Sequence, residues 1–154
     1  MTLTTHSAIG AGIGLIIGNP FAGFTLGIIS HFLVDMIPHG DSKLGESFRG
    51  NGKKKGAVTY TTIDAIIAIY TILAFINLKG DVSTLALSAA IAGSILPDFL
   101  IGVYEATKWH SLTWFNKVHF FFHDFFVKKY GDIRLRYAIL GQAAFVVGLV
   151  KFFS

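Results

Sequence analysis

The chain has 154 residues, of which 53% are hydrophobic and only 14% charged, and its mean hydropathy is +0.60. Soluble domains carry about 25% charged residues and a small one needs them to cover its large surface fraction, so an ordinary water-soluble globule is excluded. The formal charge of +4 lies in loops between apolar stretches, which suits anionic lipid head groups and argues against nucleic acid, and the absence of cysteine removes thiolate metal sites, disulfides and Cys nucleophiles.

In chain order, the first apolar segment runs from Ser7 to Gly18 and the second from Phe21 to Ile37, split only by the turn signal Asn19-Pro20. A basic loop covers 38–56. Segments Ala57–Leu78, Val82–Tyr104 and Leu135–Phe153 meet the ~20-residue requirement of a spanning helix; the first two are shorter and call for tilt or local thinning. Residues 112–128 mix Trp114, Phe115 and Phe120–Phe122 with Asn116, Lys117, His119, His123 and Asp124. Dense aromatics with interspersed charge predict an interfacial or re-entrant helix. The expected fold is therefore an all-α polytopic membrane bundle in a single domain (1–154), with about five transmembrane helices and this one aromatic helix. Gly10, Gly14 and Gly18, with Gly23 and Gly27, form small-residue ridges suited to close helix packing in lipid.

Lys43, Arg49 and Lys53–Lys55 fill one loop, and Lys108, Lys117, Lys128, Lys129, Arg134 and Arg136 another. The positive-inside bias makes that face cytoplasmic, together with the N-terminus. On this topology the ionisable residues converge. His6 opens the first helix, His31 and Asp35 lie near the cytoplasmic end of the second, Asp64 lies shortly into the third, and Asp98 lies shortly before the end of the fourth. At ~1.5 Å per residue, His31, Asp64 and Asp98 share a depth of roughly 10 Å. Ionisable groups in spans are costly and usually mark function.

Spacing points to a metal. His31 and Asp35 stand at i, i+4 on one helical face, as do His119 and His123. Paired imidazoles with carboxylates are a typical divalent donor set. The candidate ligands are His6, His31, Asp35, Asp64, His119 and His123, with Asp98 or Asp124 as a general base. Zinc suits the donors best, manganese or magnesium being the alternatives. His39 and Asp41 follow the second helix at the same side, and Asp41 and Glu46 read as solvated loop charges.

The run His31-Phe-Leu-Val-Asp35-Met-Ile-Pro38-His39-Gly-Asp41, the element Gly93-Ser-Ile-Leu-Pro97-Asp98 and the opening Thr5-His6-Ser7 resemble the YdjM-type membrane-bound metal-dependent hydrolases, over less than half the chain. More loosely, helical His-x-x-x-Asp pairs are similar to those of the all-helical zinc phospholipase C and nuclease fold. The resemblance implies a metal-dependent hydrolase. With the shallow depth of the polar cluster, the expected substrate is a phospholipid or lipid-linked phosphate at the cytoplasmic leaflet, and the expected partners are membrane lipids and a possible second copy of the chain. Two alternatives stay open: a small cation or proton transporter or channel subunit, and a non-catalytic assembly component whose His–Asp pairs hold helices together.

Overall fold

The computed structural model describes residues 1–41, 54–78 and 80–154, all helix and connection with no strand among them. Most of the basic loop expected at 38–56, including Lys43, Glu46 and Arg49, lies outside the described residues, as does Lys79.

The chain opens with a helical hairpin. Helix α1 (Leu3–Ile17) is capped by the Thr2 side chain, which accepts from the Thr5 N–H, and ends at Gly18 in the left-handed region, φ 64°. Asn19 then caps α2 (Pro20–Asp35) by accepting from the Ala22 N–H, with Pro20 at the first helical position. Thus the three residues Gly18-Asn19-Pro20 supply a helix stop, a cap and a helix start in turn. Helix α1 begins four residues earlier than the apolar run, because polar Thr4, Thr5 and His6 are helical and buried.

Helices α3 (Lys54–Leu78), α4 (Thr84–Thr107) and α7 (Leu135–Phe153) are each long and apolar enough to cross a membrane. Helices α1 and α2, with 15 and 16 residues, are shorter. The expected aromatic helix over 112–128 is two helices, α5 (Thr113–His123) and α6 (Phe125–Tyr130), which meet at Asp124.

Helix α4 is the centre of the molecule. It packs along both α1 and α2, while α3 and α7 lie against α1 and α5 crosses α2 and α4. Glycine permits the close approach. A Cβ on Gly14 would stand 2.7 Å from the Leu87 Cα, and one on Gly27 would stand 2.9 Å from the Ser94 N and nearer still to the Ala90 carbonyl. Main chain cannot retreat as a side chain can, so these helices touch backbone to backbone.

The partition of polarity is inverted relative to a water-soluble protein. The fully buried side chains include His6, His31, Asp35 and Ser94 beside Phe75 and Leu87, whereas Phe21 (82%), Leu140 (68%) and Ile63 (53%) face outward. So broad an apolar exterior favours association with lipid over solution in water.

Candidate metal centre

Four helices deliver polar side chains to one end of the bundle. Helix α2 supplies His31 and Asp35 from one face, α4 supplies Asp98 one residue after Pro97, α5 supplies His119, and α1 supplies His6 from its buried first turns. The ligand atoms of His31, Asp35, Asp98 and His119 all lie within 4.8 Å of one another. Their spacing is informative. His31 Nε2 is 3.9 Å from Asp35 Oδ2 and 3.8 Å from Asp98 Oδ1, while His119 Nε2 is 3.6 Å and 3.8 Å from the same two oxygens. These gaps are too long for hydrogen bonds. They approach the ~3.4 Å edge of a tetrahedron of donors placed ~2.1 Å from a common ion.

Hydrogen bonding explains which atoms are free. The Nδ1–H of His31 donates to the Ser94 carbonyl at 2.8 Å, so Nε2 carries the ring's lone pair. That Nε2, Asp35 Oδ2 and His6 Nε2 are buried without a hydrogen-bond partner among the described residues. Leaving several such atoms unpaired costs ~1–3 kcal/mol each, and a cation would satisfy them together. The residues therefore fit a divalent ion. His6 stacks on His31 with ring centroids 4.1 Å apart, and its Nε2 is 3.4 Å from Asp35 Oδ1 and 3.9 Å from Asp98 Oδ2.

A neighbouring donor group comprises Asp35, His39 and His123. His39 and Asp41 follow the end of α2 and are held there by a fold-back. Gly40 adopts φ 82° and donates its N–H to Asp132 Oδ1 at 2.7 Å, against the start of α7. A Cβ at Gly40 would meet the Leu135 Cα at 2.7 Å. Asp41 then reaches His39 Nε2 at 3.0 Å and His123 Nε2 at 3.2 Å. Burial opposes ionisation of the Asp41 carboxyl, but the His123 and His39 rings outweigh it and hold the group below the usual carboxylate range. Burial also works against a charged His123, yet the Asp41 hydrogen bond and the nearby Asp35 lift it to about 9. His119 moves the other way, chiefly because burial disfavours its charged form.

Of the residues expected from sequence, the structure brings His6, His31, Asp35, Asp98, His119 and His123 to one place. Asp64 lies beside it but has other work. Its carboxylate accepts from the Leu3 N–H at 2.6 Å, the Thr4 N–H at 3.2 Å and the Thr4 hydroxyl at 2.6 Å, so it caps the start of α1. Asp124 accepts from His123 Nδ1–H at 2.9 Å and pairs with Lys128 at 3.3 Å, so it orients a ring. The sequence reading left out four contributors: His39, Asp41, Ser94 and Gln142. The Gln142 Oε1 accepts from the Thr2 N–H and hydroxyl, both at 2.9 Å, and pins α7 to the start of α1. His39 follows Asp35 by four residues, but α2 ends at Asp35, so the Gly40 turn and not helical spacing brings it to the site.

Comparison with protein-family models, curated proteins and solved structures yields no match to this chain.

Proposed function

We propose that the protein is a multi-pass membrane hydrolase, dependent on a divalent metal, that acts on a phospholipid or lipid-linked phosphate at the cytoplasmic leaflet. The observation that carries this reading is the set His31, Asp35, Asp98 and His119, whose donor atoms face one another at spacings longer than hydrogen bonds. In this reading α1 and α2 cross the bilayer with α3, α4 and α7, which requires local thinning around the short hairpin. Lys108, Lys128, Arg134 and Arg136 lie at the helix ends nearest the His–Asp cluster, which supports a cytoplasmic placement of that end.

His31, Asp35, Asp98 and His119 would hold the ion, with His6 beside them. A divalent ion held there, zinc by donor type, would supply Lewis acidity towards water and a phosphoryl oxygen. The chain's own groups do the rest. Asp98, whose side chain is 31% exposed against 2% for Asp35, stands where the cluster opens; with Oδ1 turned to the ion, its Oδ2 would be the oxygen left to take up a proton there. Ser94 keeps the His31 ring in one tautomer. Trp114 and Phe121 are exposed on α5, the helix that carries His119, and suit the head-group layer, where a lipid phosphate resides.

The test is purification in detergent followed by metal analysis and assay on phospholipids and lipid-linked phosphates. Zinc, manganese or magnesium should support release of phosphate or a phosphoester product, and His119→Ala should abolish it. Absence of any bound divalent ion, together with no activity on addition of metal, would rule the reading out. Uptake of a cation into proteoliposomes without hydrolysis would replace it with transport.

A further inference from the structure

His39 and His123 gather with Asp35 into a second set of facing donor atoms. The Nδ1–H of His39 donates to the Ile37 carbonyl at 2.7 Å, and that of His123 to Asp124 at 2.9 Å. In a neutral ring this leaves Nε2 as a bare lone pair. Both Nε2 atoms nevertheless face carboxylate oxygens: His39 at 3.0 Å from Asp41 and 3.7 Å from Asp35, His123 at 3.2 Å from Asp41. Lone pairs directed at carboxylates repel unless positive charge lies between them, either a proton, as in the His123–Asp41 hydrogen bond, or a metal ion that takes the proton's place. The rings themselves are buried, with side chains 3% and 10% exposed, so water cannot supply that screening cheaply.

Asp35 connects this group to the first. Its Oδ2 faces His31 and His119, whereas its Oδ1 faces His39, His6 and the α-ammonium of Met1. The two oxygens of one carboxylate thus point into two donor sets. The Met1 nitrogen also contacts Asp35 and lies 2.7 Å from His39 Nε2 and 3.9 Å from Asp41 Oδ2.

We infer that Asp35, His39, Asp41 and His123 form a second divalent-cation position, with Asp35 shared between it and the His31–His119 position. This rests on the reading of the first position as a metal site, and extends it from one ion to two. The donors are two imidazoles and two carboxylates, a set suited to zinc or manganese. Three carboxylates (Asp35, Asp41 and Asp98) against two divalent ions leave one positive charge in excess. That excess favours an anionic ligand such as a phosphate group. Asp124 is a positioning residue here: it touches no ion and holds the His123 ring so that Nε2 faces inward.

The experiment is metal stoichiometry on the full-length chain in detergent, loaded with zinc, freed of loose metal and compared among variants. The wild type should retain two ions per chain. His123→Gln should retain one, and Asp124→Asn should keep both at saturation but bind the weaker of them ~10–100-fold less tightly. His119→Gln should reduce the first position and leave the second partly filled. One ion in the wild type, lost in His119→Gln and kept in His123→Gln, overturns the second position and leaves Met1 and protonated rings as its only cations. No ion in the wild type overturns the first position as well. Should His123→Gln fail to fold, the wild-type count and the Asp124→Asn titration still decide the matter.

Discussion

His31 and Ser94 are joined across the α2–α4 contact by the ring Nδ1–H and a main-chain carbonyl, 2.8 Å apart. The bond settles the ring's tautomer and aims its lone pair at Asp35 and Asp98. A glutamine at position 31 keeps a polar side chain but cannot both donate to Ser94 and present a nitrogen lone pair. His31→Gln should therefore weaken metal binding by more than the ~10–100-fold expected from losing an outer partner. Titration against a competing chelator measures it; unchanged affinity would remove His31 from the ligand set.

Asp64 behaves differently. Its three hydrogen bonds cap α1, so Asp64→Ala should destabilise the protein by ~1–3 kcal/mol while metal content stays that of the wild type. Denaturation in detergent and metal analysis on the same sample separate the two effects. Loss of metal at undiminished stability would make Asp64 a ligand after all.

Glycine at the helix contacts gives a paired prediction. Gly27→Ala forces a Cβ against main-chain atoms of Ala90 and Ser94 and should cost ~1–3 kcal/mol, as overpacking does. Gly102, on the same central helix, has nothing among the described residues within 4 Å of its Cβ position; Gly102→Ala should be neutral or stabilise by ~0.5–1 kcal/mol. Equal effects from both would contradict the backbone-to-backbone packing of α2 on α4.

Metal removal should lower the melting temperature. An ion bound only by the folded chain contributes ~4 kcal/mol at a thousandfold excess over its dissociation constant. Chelation followed by thermal unfolding should show the loss, and added zinc should reverse it. A midpoint indifferent to both treatments would count against any tightly held ion.

The sequence revealed the helices and most of the cluster because both depend on periodicity. His31 and Asp35 lie one turn apart on a helix that exists, and so do His119 and His123. Depth from the membrane surface was a coarser guide. It placed Asp64 level with His31 and Asp98 but could not show that the free N–H groups of α1 begin at that same level and claim the carboxylate. His39 and Asp41 escaped for the opposite reason. They lie past the end of α2, where helical spacing no longer says where a side chain goes, and their position depends on the Gly40 turn and on Asp132, over ninety positions later in the chain. Likewise Ser94 contributes through a main-chain carbonyl, which no side-chain pattern records.

A carboxylate that faces two ways also couples the two proposed positions. Because Asp35 borders both donor sets, neither can change its occupancy without altering the charge and hydrogen bonding felt by the other. Whatever factor the first ion applies to the affinity of the second, the second must apply to the first. Loading curves for the two proposed positions would then be linked: filling the His39–His123 side should shift the apparent affinity on the His31–His119 side by the same factor as filling the latter shifts the former.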